Sequence, residues 1–349
     1  MLKKFLVILL IAGLFLQTGV LACTDFVIAA KDKTIVNARS MEFPIDLESE
    51  ICVVPRGTQY GSWQTKYAFL GVNAYHLPTA FVEGLNEKGL AFSGLMFGEV
   101  KYQSPVPGKT LPFDLLAIWA LGNFASVDEV KQALSGIVVT DTSIKKLKGM
   151  GMHIAIHDSA GKNLVIEFVN GQMMVYDNPV GVMTNRPNFP WQMDNLRNYI
   201  NLDAHDKKPK MLNNAKIEPT GVGSGLLGLP GDWTPPSRFV RMAIATDAAL
   251  KPDNTAGLIN LAEHLLNIVD IPKGVVKESP APFVKLYGYA QWVLIKDMTN
   301  RVMYYKTYDN TNWKSVSLMN FDLNPGSPVK KILIADGQTQ IPDVSAMLK

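Results

Sequence analysis

Strands come in blocks along this sequence, and nothing else in it narrows the fold as much. DFVIA and TIVNA are short β-rich runs separated by the turn-like AKDK. FVEGLNEKGLAFSGLMF, Phe81–Phe97, reads as a hairpin around Asn86-Glu87-Lys88-Gly89. MHIAIHDSAGKNLVIEFVNGQMMVYDN, Met152–Asn178, gives three strands with turns at DSAG and NG. KLYGYAQWVLIKDM, NRVMYYKTYD and KKILIAD are strands near the C-terminus. Turns this short join antiparallel neighbours, whereas a parallel pair needs a long crossover. Helical spacing falls between the blocks: PFDLLAIWALGNF, a segment opened by the capping box Ser126/Glu129 and stopping near Gly136, RFVRMAIATDAAL, and NTAGLINLAEHLLNIVD. The pattern is not βαβ alternation. It predicts an α+β protein with antiparallel sheets covered by helices.

Met1–Ala22 reads as a secretory signal. Lys3 and Lys4 form its charged start, Phe5–Leu16 its apolar stretch, and Val20 and Ala22 the small residues before a cut at Cys23. The apolar stretch is shorter than the ~20 residues a membrane span requires, and no later stretch is long and apolar enough. The mature chain is expected to be exported, periplasmic or secreted, with no stable membrane span. Residues 23–349 carry no Pro/Gly-rich linker and read as one catalytic domain, with Leu202–Gly225 as a long polar excursion. Without the two leader lysines the 34 basic residues become 32 against 31 acidic ones, a side-chain balance near +1. That excludes a general nucleic-acid binder, which needs a basic face.

Cys23 then has three readings: a plain mature terminus, a lipid-anchored lipoprotein cysteine, or an N-terminal nucleophile. For the last, thiol and α-amine sit on one residue, which supplies both nucleophile and base. If DFVIA and TIVNARS pair as a hairpin, Arg39 returns close to Cys23. Arg39 can then hold the thiolate, and Glu42 the α-ammonium. The other cysteine, Cys52 in ICVVP, reads as a buried strand residue. His153 and His157 share a strand face ~13 Å apart, too far for one metal. They read as ordinary strand residues, and no metal or cofactor is implied. Ser224 in GVGSG lacks the strand and helix context of a nucleophile elbow and reads as loop.

Four blocks in order resemble the choloylglycine hydrolase family, which includes bile salt hydrolases and penicillin V acylases. They are CTDFVIAAKDKTIVNARSME, EGLNEKGLAFSGL from Glu83, NPVGVMTNRPNFPWQMDNLRNYI from Asn178, and LGLPGDWTPPSRFVR from Leu227. The resemblance covers most of the chain from Cys23 to roughly Asp336. It implies a four-layer αββα fold of two stacked antiparallel sheets between helical layers, hydrolysis of a linear amide, and frequent homotetramers. Residue by residue it matches Cys23 to the nucleophile and Arg39 to the arginine beside the thiol. It matches Asn185 to the oxyanion-hole asparagine and Arg238 to the distant arginine of the network. From the residues alone, Arg238 reads as a structural ion pair at a helix start.

Two positions depart from the family. Glu42 stands where aspartate is usual. Met96 stands where many bile salt hydrolases have asparagine, which leaves only its backbone N–H for the oxyanion hole. Met41, Phe43, Met96 and Phe97 are expected to bind substrate. The pocket is expected from loops near Met41–Leu47, Trp63–Leu70, Met96–Val100 and Met183–Met193. The substrate is a small-molecule N-acyl amide with an apolar acyl group. The rival is a membrane-tethered binding lipoprotein of the same fold, acylated at Cys23.

Overall fold

A computed structural model describes residues 22–281 and 284–348. The predicted leader lies outside them except for Ala22. Two large antiparallel sheets organise the chain. In chain order the strands are β1 (Cys23–Ala29), β2 (Ile35–Glu42), β3 (Glu50–Val54), β4 (Phe69–Asn73), β5 (Phe81–Asn86) and β6 (Ala91–Met96). Then come β7 (Met152–His157), β8 (Asn163–Val169), β9 (Gln172–Asp177), β10 (Val182–Met183), β11 (Ala290–Asp297), β12 (Val302–Thr307), β13 (Lys314–Ser317) and β14 (Lys330–Leu333). The first sheet runs β10-β1-β2-β11-β12-β13 and the second β9-β8-β7-β6-β5-β4-β3-β14.

The sheets stack, and helices cover their outer faces. Pro235–Ala248 (α4) packs on β1 and against the short helix Phe189–Asn195 (α3), and Thr255–Asn267 (α5) packs on β2. On the other side Leu116–Asn123 (α1) packs on β5 and β6, and Val127–Ala133 (α2) on β8. This is the four-layer αββα arrangement. Gly84 shows how closely the layers fit: a Cβ there would stand 2.2 Å from Leu121 Cδ1 of α1 and 2.9 Å from the Leu70 carbonyl oxygen. The helix can approach β5 only over a glycine. Ser126 caps α2 by accepting from Glu129 N–H at 3.3 Å, but the Glu129 carboxylate reaches past the predicted partner to Ala125 N–H at 2.8 Å. The predicted excursion after Leu202 contains a small exposed hairpin, Lys210–Leu212 with Ala215–Ile217.

β1 and β2 lie inside the sandwich with a layer on each face, so their alternation is lost and polar residues are buried as well. Thr24, Asp25, Asn37, Arg39, Ser40 and Glu42 are each no more than 1% exposed. Buried polar groups need partners, and those partners build the site.

Candidate active site

The β1–β2 hairpin pairs Cys23 with Met41 and Asp25 with Arg39. Side chains two apart share a strand face, so Arg39 and Met41 both project beside Cys23. Arg39 Nη2 donates to Cys23 Sγ at 3.3 Å, and Met41 Sδ stands 3.9 Å from the same sulfur. The thiol is fully buried. Arg39 is gripped from below by the Glu83 carboxylate and donates also to the Val82 carbonyl at 3.3 Å. Burial works against its charge, but Glu83 and then Cys23 hold the guanidinium above its ordinary range.

The second grip comes from the loop after β10. Asn185 Oδ1 accepts from Cys23 N–H at 2.8 Å and from Arg238 Nη2 at 2.9 Å. Both partners are pure donors, which fixes the amide orientation. Its Nδ2 donates one hydrogen to the Met96 carbonyl at 2.8 Å and keeps a second. Arg238, at the start of α4, donates to the Cys23 carbonyl (2.5 Å), Thr24 Oγ1 (2.7 Å) and the Trp233 carbonyl (3.0 Å). It is therefore no structural ion pair. Its hydrogen bonds fix the backbone around Cys23 and hold Asn185.

Glu42 is buried, and neither carboxylate oxygen has a hydrogen-bond partner among the described residues. Burial pushes its carboxyl up to about 7 against the opposing pull of Arg238 and Arg39, with Asp270 adding to the rise. Ala22 extends β1 by one residue and is buried too, its carbonyl accepting from Glu42 N–H at 3.0 Å. Glu42 thus lies opposite residue 22 in the strand register, next to the bond that joins residue 22 to Cys23.

Arg39 is one of the residues that line a narrow apolar cleft. Met41, Phe43, Leu47 and Met96 line it as expected, together with Tyr75, Phe81, Gly94, Phe113, Asp114, Met150 and Met152. Two expectations fail. Phe97 is buried and stacks on the His153 ring at 4.8 Å between centroids, so it does not reach the cleft. The Trp63–Leu70 and Met183–Met193 stretches do not line it either. Phe69 and Leu70 are consumed in β4, and Met183 lies in β10 beside β1. The lining takes in Gly94 of β6 and Phe113 and Asp114 ahead of α1 instead. At Met96 the carbonyl, rather than the N–H, is the group turned to Asn185.

Sequence reasoning missed Glu83 and Lys296. Both are fully buried, and Lys296 Nζ pairs with the second oxygen of Glu83. Each interrupts an apolar strand with a charge, and that was the available signal. His153 and His157 also do more than occupy a strand. His153 bridges Glu167 (3.2 Å) and the Thr184 carbonyl (2.7 Å), next to Asn185, and His157 pairs with Asp25 at 2.7 Å. Both cysteines are free, and Cys52 is an inert buried thiol pushed up to about 12, chiefly by burial. Among the described residues no cluster of three or more His, Cys, Asp or Glu could hold a metal, and no helix is long and apolar enough to cross a membrane.

Comparison with known proteins agrees with this geometry. Residues 23–331 match the model of linear amide C–N hydrolases, choloylglycine hydrolase family. The chain is 33% identical over 322 residues to a bile salt hydrolase/transferase of Clostridium perfringens, covering 88% of this chain and 95% of that one. A solved structure of a conjugated bile acid hydrolase mutant from Clostridium perfringens superimposes with a TM-score of 0.83 at 30% identity, covering 93% of this chain and all of that one. Penicillin V acylase from Agrobacterium tumefaciens shares the fold, with a TM-score of 0.74 at 22% identity over 90% of this chain and 93% of that one.

Proposed function

This chain belongs to the choloylglycine hydrolase family of linear amide C–N hydrolases, and we propose that Cys23, freed at its amine, is the nucleophile. One observation carries the reading: Arg39 contacts the thiol at 3.3 Å and also lines the apolar cleft. An acyl group seated in the cleft would lie against the guanidinium that holds the Cys23 sulfur.

The steps follow from the groups present. The α-amine takes the thiol proton, and Sγ attacks the amide carbonyl. The second Nδ2 hydrogen of Asn185 meets the oxyanion. The C–N bond breaks as the α-ammonium returns the proton to the departing amine. Water, activated by the same amine, then hydrolyses the thioester, releasing the acid and restoring the thiol. A free amine attacking the thioester instead gives acyl transfer, the second activity named for the Clostridium bile salt hydrolase/transferase.

The acyl group we propose is bulky and apolar, of bile acid, phenoxyacetyl or fatty acyl type. The chain is exported through Met1–Ala22, cut before Cys23, and assembles as a homo-oligomer. Full burial of Cys23 Sγ speaks against the lipid-anchored rival, because a diacylglycerol there would have to leave the protein interior. The test is hydrolysis of glycocholate, taurocholate, penicillin V and acyl-homoserine lactones by protein whose intact mass begins at Cys23. Activity on none of them overturns the substrate class. Incorporation of a palmitate analogue into the mature protein overturns the enzyme reading.

A further inference from the structure

Beneath the thiol lies a closed set of charges. Arg39, Glu83 and Lys296 come from β2, β5 and β11, and each side chain is wholly excluded from water. Glu83 is shared: one oxygen pairs with Arg39, the other with Lys296. Lys296 is held further by Ser93 Oγ at 2.8 Å and the Phe92 carbonyl at 3.1 Å, and Ser93 Oγ reaches Glu83 at 3.0 Å. Two cations and one carboxylate leave an excess of one positive charge.

The neighbouring charged groups have partners of their own. Asp25 on β1 meets His157 of β7, whose other nitrogen faces Asn163 Oδ1 at 2.8 Å. Asn163 Nδ2 donates to the Gly161 carbonyl at 3.2 Å, so its oxygen is the atom turned to the ring. Burial works to raise the Asp25 carboxyl, but His157, then Lys296 and Asn37, hold it below its usual range. Arg238 of α4 donates to Asn185, Thr24 and the Cys23 carbonyl. The group that faces the other side of Arg39 is the Cys23 sulfur, 3.3 Å away.

We propose that Lys296 and Glu83, which touch neither substrate nor thiol, are positioning residues that set the ionisation of Cys23 through Arg39. Lys296 occupies half of Glu83, so Glu83 anchors Arg39 without cancelling it. The buried cation left over favours thiolate over thiol, because an opposite charge within ~4–6 Å stabilises the ionised form. The proposal rests on Cys23 as the nucleophile.

The experiment reads the thiolate directly, as the ultraviolet absorbance of the purified protein minus that of its Cys23→Ala counterpart across pH. Lys296→Met removes the excess, and its thiolate signal near pH 7 should fall ~10-fold. Glu83→Gln raises the excess, and its thiolate should persist to lower pH than in the parent. The double variant has the parental charge count and should return to the parental curve. A structural role gives no such opposition and no such return. A parental curve in folded Lys296→Met, or both single variants moving the same way, overturns the proposal. If Lys296→Met does not fold, Glu83→Gln decides alone: a curve unmoved or moved upward overturns it. Hydrolysis surviving in Cys23→Ala instead sinks the nucleophile reading and is separable from either result.

Discussion

Glu42 yields the sharpest test, because its environment should change when residue 22 is removed. In the uncut chain its buried carboxylate has no hydrogen-bond partner among the described residues, and burial pushes its carboxyl from 4.5 up to about 7. That difference disfavours the ionised form by about 3 kcal/mol. The folded chain keeps a proton that the unfolded chain releases, so this group's contribution to stability falls as pH rises from 4.5 to about 7 and is level above. Glu42→Gln cannot ionise. In a version that keeps Leu21 and Ala22, the variant should therefore gain on the parent by about 3 kcal/mol between pH 4 and pH 8. Urea unfolding at stepped pH measures this. In protein that begins at Cys23, the new α-ammonium partners the carboxylate, so the same substitution should destabilise and slow hydrolysis. A parent–variant gap that stays constant with pH in the uncut chain would refute the argument. So would the same sign of effect before and after trimming.

Other outcomes follow from single contacts. Asn185→Ala removes the free oxyanion donor and should lower kcat ~10²–10³-fold, measured on whichever substrate the panel identifies. Arg238→Met strips a donor from the Cys23 carbonyl, Thr24 and Asn185, and should cost about 3 kcal/mol in chemical denaturation with activity lost. Cys52→Ala should cost about 1 kcal/mol of packing and leave turnover intact, because that thiol lies in β3 and is absent from the cleft. Phe43→Ala widens the cleft and should shift kcat/KM toward bulkier acyl groups, whereas Phe97→Ala should change stability without changing that ratio.

Local signals carried much of this into the sequence. The turn AKDK and the alternating runs beside it fix the β1–β2 register, and that register brings Arg39 to Cys23. Ser126 announces α2, and the blocks of strands announce antiparallel sheets. Long-range features were less legible. Nothing near Phe97 indicates that it turns to His153 instead of the cleft, because the choice depends on β7 lying beside β6. The cleft lining at Phe113, Asp114 and Met150 comes from segments that no local pattern joins to Met41. Glu83 and Lys296 were visible as charges in apolar strands, yet their partnership spans 213 residues and exists only once the sheets stack.

The position of β1 bears on how the molecule is made. The strand bearing Cys23 is among the first segments to leave the ribosome, yet it sits between β2 and β10, and β2 must still pair with Ala290–Asp297. Pairings this distant close late and slowly. For most of its synthesis the chain can bring Arg39 to Cys23 across the β1–β2 turn, but Arg238 and Lys296 are still missing. The last of these groups arrives with residue 296, so a chain cut short before β11 lacks the lysine that shares Glu83 with Arg39. The sheet around Cys23 is therefore complete only when nearly all of the chain has been made.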